Sequence, residues 1–136
     1  MKVALLCSGL GNVYRGHEVF ARDLFTLLSG SVDITLFKGG GESAPGERVV
    51  DNIPRNASCL NNIHVVASPK WAASAKAQER CRIEGETFAY AALEALLEGE
   101  FDVIHCLERE VCNIIYDNRH LFRATPKILF SNGGAI

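Results

Sequence analysis

Hydrophobic and polar positions change period several times along this chain, and each change marks an element. Lys2 to Ser8 is an unbroken apolar run ended by Gly9, the pattern of a strand buried on both faces of a parallel sheet. From His17 to Leu28 the apolar residues Phe20, Leu24, Leu27 and Leu28 fall at helical spacing, with Glu18 in the first turn and Gly30 placed to end the helix. Val32 to Phe37 supplies a second apolar, β-branched run and closes a strand-helix-strand unit. Gly39 to Asn62 crowds Gly39-Gly40-Gly41, Pro45-Gly46, Pro54 and Asn61-Asn62 together and reads as a long loop with at most one short helical turn.

The periodic signal resumes at His64 to Ala67, which reads as a third strand. After Pro69 a mostly helical segment reaches Leu97, with a break expected at Gly85 and a cap at Gly99; Phe88, Ala92, Ala95 and Leu96 form its stripe. Phe101 to Cys106 reads as a fourth strand, Glu110 to Phe122 as a helix and Lys127 to Ser131 as a fifth strand. Strands alternating with helices predict an α/β fold: a Rossmann-like parallel sheet of about five or more strands with helices on both faces, in three α/β/α layers. Ligands of such sheets sit at the carboxyl ends of the strands, here Ser8 to Gly16, Lys38 to Gly41, Ala67 to Lys70, Cys106 to Arg109 and Ser131 to Gly134. A domain ending on its fifth strand looks incomplete.

Composition narrows the partners. At 136 residues the chain has the size of one domain. Its 14 basic and 16 acidic residues give a net charge of -2 without a long run of either sign, so nucleic acid is not an expected partner. The odd number of cysteines, 5, reads as reduced and cytoplasmic. No apolar stretch approaches the roughly 20 residues of a membrane span, which leaves membrane contact at most peripheral. Arg48, Arg55, Lys70, Lys76, Arg80 and Arg82 read mainly as solvated surface charges, some able to meet an anionic acceptor or lipid headgroup.

The richest chemistry lies after the first strand. Gly9 and Gly11 permit a tight turn, and Gly16 removes the side chain that would block a ligand from the following helix N-terminus. The dinucleotide fingerprint would need a glycine at Tyr14 and an acidic residue at Lys38, so a nicotinamide cofactor is disfavoured. The same glycines also satisfy a plain strand-to-helix connection.

The glycine loop, Arg15-Gly16-His17-Glu18 opening a helix with Leu24 and Leu27-Leu28, and Val32-Asp33-Ile34-Thr35-Leu36-Phe37 resemble the opening of retaining glycosyltransferases of the GT-B fold, in the large group of glycogen-synthase-like and mannosyltransferase-like enzymes. Phe101-Asp102-Val103-Ile104-His105-Cys106 is similar to that group's fourth-strand motif, and Lys127 to Gly134 to its next strand and acceptor-side loop. The matches cover both ends of the chain but not Gly39 to Gly85. The resemblance implies an amino-terminal, acceptor-side domain whose carboxy-terminal donor-binding partner domain is missing from this sequence. It implies transfer of a sugar, with retention, from a nucleotide diphosphate sugar to a sugar, lipid or small-molecule acceptor, with no tightly bound cofactor and no metal. It puts Gly9, Gly11, Arg15 and Gly16 near the donor phosphates, His17, Glu18, Asn132 and Gly133 near the acceptor, and His105 and Glu108 at the chemistry.

One departure stands out: the family's second histidine, two residues past the first, is Leu107 here, so Glu108 or Arg109 would have to take the polar role. His105 reads equally as a core histidine, and Glu108 equally as the charged start of a helix. Cys106 and Cys112 fit none of the usual zinc spacings and read as small hydrophobes. The alternative class is a stand-alone flavodoxin-like binding or regulatory domain, in which Ser8 and Asn12 would serve as a thin phosphate loop.

Overall fold

The computed structural model describes residues 1–132. Five strands, β1 (Lys2–Cys7), β2 (Asp33–Lys38), β3 (Glu47–Val49), β4 (Val103–Cys106) and β5 (Lys127–Phe130), form one sheet in the order β3-β2-β1-β4-β5. Every pairing is parallel, with Leu5 of β1 opposite Leu36 of β2 and His105 of β4. Three helices, α1 (Gly16–Leu28), α2 (Ala72–Gly99) and α3 (Arg109–Asp117), cover it.

Alternation along β1 sorts the core into two halves, as period-2 side chains require. Val3, Leu5 and Cys7 pack with Ala21 and Phe25 of α1, while Ala4 and Leu6 pack with Phe88, Ala92 and Leu96 of α2 and Val111 and Ile115 of α3. The result is the expected three-layer Rossmann-like architecture. Phe88 is wholly buried, and burying such a side chain contributes about 2–3 kcal/mol. On α1 the buried residues are Glu18, Ala21 and Phe25; of the expected stripe, Leu24 and Leu28 pack against this core while Phe20 and Leu27 are exposed.

The third strand is not where the β-branched residues suggested. His64 to Ala67 pairs with nothing, and Val66 is fully exposed. The place beside β2 is taken by Glu47–Val49, from within the expected loop, because Glu47 is fixed there by Lys38 at 2.9 Å and Arg22 at 2.8 Å. A single turn of 3-10 helix follows at Ser58–Asn62. The carboxyl end of the third strand is therefore Val50 to Arg55, not Ala67 to Lys70.

Two glycines also differ from expectation. Gly85 does not break α2; a Cβ there would lie 2.9 Å from Glu110 Cβ, so the glycine lets α3 press against an unbroken helix. Gly99 is the last helical residue rather than the cap, which is Glu100 at φ 53°; a Cβ on Gly99 would strike the Phe101 ring. The last helix stops at Asp117, where Asn118 Nδ2 donates to the Ile114 carbonyl at 2.8 Å, and a 3-10 turn Arg119–Leu121 completes the segment.

Candidate functional site

Connections from β1 lead through α1 to β2 on one side, and β4 arrives through α2 on the other, so the order of the sheet reverses between β1 and β4. At such a switch point the loops leaving the two strands diverge and leave a crevice. Here they are joined at its floor: the Ser8 amide donates to Glu108 Oε1 at 3.1 Å. Above it opens a cleft of about 330 Å³ lined by Ser8, His17, Arg55, Glu108, Arg109 and Asn132, among others. That volume lies at the lower end of the range for small-molecule sites.

Beneath the cleft lies a buried polar cluster. Ser8 Oγ donates to Glu84 Oε1 at 3.0 Å, and Arg55 grips the Glu84 carboxylate through Nη2 at 2.7 Å, Nε at 3.1 Å and its own backbone amide at 2.7 Å. Glu84 is entirely buried on α2, where it stands one helical turn before Phe88. Arg55 Nη2 also lies 3.9 Å from Glu18 Oε2, and Glu18 Oε1 accepts the Arg15 amide at 2.9 Å. Two carboxyl groups thus face one guanidinium, and Glu108, buried beside Glu18, adds a third carboxyl with no cation of its own in the cluster. Burial pushes the Glu108 carboxyl up to about 7, and its Oε2 has no hydrogen-bond partner. Burial likewise raises the Cys7 thiol, with the charges of Glu108 and Glu18 adding to it.

Of the residues singled out from the sequence, the cleft gathers His17, Glu108 and Asn132. Gly16 is the exposed first residue of α1, and Arg15 is its exposed N-cap. Glu18 is buried in the cluster, turned away from solvent. Gly9 sits against that cluster: a Cβ there would fall 2.6 Å from Glu18 Oε2 and 2.8 Å from Arg55 Nη2. Gly11, at φ +95°, packs against the backbone of Gly40, where a Cβ would strike the carbonyl carbon and oxygen. His105 lies on the α1 side of β4 and its Nε2 is 2.7 Å from Ser131 Oγ; burial lowers its pKa. Gly133 lies outside the described residues.

Comparison with protein-family models, curated proteins and solved structures finds no match.

Two other concavities compete on size alone. A groove of about 840 Å³ runs between α2 and α3, lined by Glu79, Arg82, Glu86, Tyr90 and Asn113, and a cleft of about 390 Å³ lies between Leu97, Phe101 and Phe122 at the opposite edge of the sheet. The groove meets the switch-point cleft at Cys81, Arg109 and Glu110 but runs away from the strand ends along the two helices, and the Phe101 cleft lies before β4, so neither is lined by Ser8 or Glu108 of the buried polar cluster. Position and polar convergence favour the switch point.

The residues that sequence reasoning missed are Glu84 and the buried role of Arg55. Glu84 carried a signal, a charge on the same helical stripe as Phe88, Ala92 and Ala95. Arg55 carried none, because its loop has no periodicity. No described helix is long and apolar enough to cross a membrane.

Proposed function

We propose that this chain is the acceptor-side domain of a nucleotide-sugar-dependent glycosyltransferase and that the switch-point cleft is where its substrates meet. The observation that carries the reading is the convergence of three separate sequence segments on that cleft: the β1 to α1 loop through Ser8 and His17, the end of β4 through Glu108 and Arg109, and the end of β5 through Asn132. These are the segments on which the family resemblance rests.

In this reading the exposed start of α1, with Gly16 bare of a side chain, faces the donor diphosphate, where helix N-terminal amides and the partial positive charge of the helix end favour an anion. Arg109, exposed beside Glu108, supplies a full positive charge. His17 and Asn132 offer hydrogen bonds to acceptor hydroxyls, and Glu108 is the polar group at the end of β4 that stands in for the family's second histidine. Glu18 and Gly9 act one layer below by holding the loop, and Gly11 fixes it to Gly40. His105, held by Ser131, supports the strand end. A donor-binding domain would close over the cleft, and transfer with retention in a reducing, cytoplasmic setting fits the five free cysteines.

The stand-alone flavodoxin-like alternative has less support, because Ser8 Oγ is already committed to Glu84 and Asn12 Nδ2 to the Gly39 carbonyl. Saturation-transfer NMR with uridine, guanosine and adenosine diphosphate sugars tests the proposal. Transfer to the nucleotide sugar, abolished by Arg109→Ala, is expected; binding of none of them, together with flavin absorbance in the purified protein, would replace this reading with the alternative.

A further inference from the structure

The described residues hold one close group of metal-ligating side chains, Cys7, Glu18 and Glu108, whose Sγ and one carboxylate oxygen each lie within 4.8 Å of one another. All three are buried. They come from three elements that meet at the switch point: the last residue of β1, the first turn of α1 and the residue that caps α3. Glu108 sets this group apart from an ordinary acidic cluster. Its side chain is 7% exposed and its Oε2 is buried without any hydrogen-bond partner, a state that costs a carboxylate several kcal/mol unless something fills the space.

The surrounding hydrogen bonds look like those that orient metal ligands. One oxygen of each carboxylate is fixed by a backbone amide, Glu18 Oε1 by Arg15 and Glu108 Oε1 by Ser8; of the second oxygens, Glu108 Oε2 has no partner and Glu18 Oε2 accepts only the Cys7 thiol at 3.9 Å, a bond that ends when that thiol gives up its proton to ligate an ion. Arg55 is spent on Glu84 and approaches Glu18 no closer than 3.9 Å. Gly9 keeps the space beside Glu18 Oε2 free of a side chain.

We infer that Cys7, Glu18 and Glu108 form a binding site for a divalent transition-metal ion, zinc being the best chemical fit, at the floor of the cleft. A thiolate with two carboxylate oxygens suits a borderline-soft ion better than magnesium or calcium, which take oxygen ligands only. Three protein ligands leave a fourth position for water or substrate, and the cleft lined by Ser8 and Glu108 lies next to it. Binding displaces the thiol proton of Cys7 and any proton on the carboxyls, and the double charge offsets two of the three negative charges the ligands then carry. Closing the triad onto tetrahedral zinc needs side-chain shifts of about an ångström, given Zn–S near 2.3 Å and Zn–O near 2.0 Å. The inference goes beyond the glycosyl-transfer reading, which requires no ion; if an ion is present, Glu108 acts in the cleft through it.

The test is titration of the chelator-treated full chain with cobalt(II), a spectroscopic substitute for zinc. One equivalent is expected to bind and to give a near-ultraviolet thiolate-to-cobalt charge-transfer band. The band should vanish in Cys7→Ser, persist in Cys59→Ser and Cys112→Ser, and require at least about tenfold more cobalt in Glu108→Gln. No band at a stoichiometric ion, a band that survives Cys7→Ser, or an unchanged affinity in Glu108→Gln would each overturn the site. If Cys7→Ser does not fold by circular dichroism, Glu108→Gln alone decides the matter. Because metal binding is read directly, failure here leaves the nucleotide-sugar experiment untouched.

Discussion

The backbone amide of Ser8 and the carboxylate of Glu108, separated by 100 residues in sequence, are joined by a 3.1 Å hydrogen bond. That bond ties the end of β1 to the start of α3 where the sheet reverses its order, and it holds a buried carboxyl against the floor of the cleft. Ser8 is also bonded through its hydroxyl to Glu84, so one residue couples the cleft floor to the Arg55 ion pair behind it.

Glu108 makes stability depend on pH in the metal-free protein. Its folded pKa, about 7, lies above the ordinary glutamate value of 4.5, so the folded state binds more protons between those limits. Stability should therefore fall as pH rises from about 4.5 to about 7 and then level off, by on the order of 3 kcal/mol from this group. Glu47 acts in the opposite sense lower down: its bond to Arg22, with Lys38 adding, holds it near 2, and its contribution is lost as pH falls from about 4.5 towards 2. Urea unfolding across this range with a chelator present, compared with Glu108→Gln, should show the upper slope flatten in the variant. An equal slope in both would remove Glu108 as its source.

Arg55→Ala strips the buried Glu84 and Glu18 of the one cation that faces them among the described residues. Breaking a buried pair from one side costs about 3–5 kcal/mol, so the midpoint of chemical denaturation should drop sharply. Arg82→Ala, which removes exposed bonds to Glu79 and Glu86 on α2, is the control and should change stability by less than about 1 kcal/mol.

Gly11 and Gly30 should respond in opposite ways to alanine. Gly11→Ala places a Cβ against the Gly40 backbone at a positive φ and should destabilise the fold by about 2 kcal/mol or more. At Gly30 nothing lies within 4 Å, and alanine should be neutral or stabilise by up to about 1 kcal/mol through the unfolded chain. Thermal melts of the two variants check the contrast.

The neighbouring Cys106 thiol lowers the pKa of Cys112 to about 7. Its alkylation rate should rise through a midpoint near pH 7, followed by mass spectrometry of the labelled peptide. Cys106→Ala should move that midpoint upward, and an unmoved midpoint would assign the effect elsewhere.

Much of this was legible in the residues. The first strand, the first helix and the strands ending at Cys106 and near Phe130 follow from long apolar runs bounded by glycine or proline, signals that tertiary structure rarely overrides. The β3 strand was not legible, because three residues carrying Glu47 and Arg48 have no hydrophobic period; their pairing depends on Lys38 and Arg22, contributed by other elements. Val65 and Val66 show why β-propensity misled there: branched residues favour a strand only where a neighbouring strand is free to pair. In the site, Glu108, His17 and Asn132 were reachable because strand ends of parallel sheets gather ligands. The Glu84–Arg55 pair was not, since one partner lies in a loop whose path no local pattern fixes. The roles of Gly9 and Gly11 as packing glycines needed the positions of Glu18, Arg55 and Gly40, all distant in sequence or facing inward.

Amide chemical-shift mapping on the isotopically labelled chain, titrated with a nucleoside diphosphate and with its sugar conjugate, tests the central claim that the switch-point cleft is the substrate site. Shifts are expected to concentrate at Ser8, Gly16, His17, Arg109 and Asn132 and to saturate together. Shifts confined to the α2–α3 groove or to the cleft beside Phe101 and Phe122, or none at saturating ligand, would contradict it.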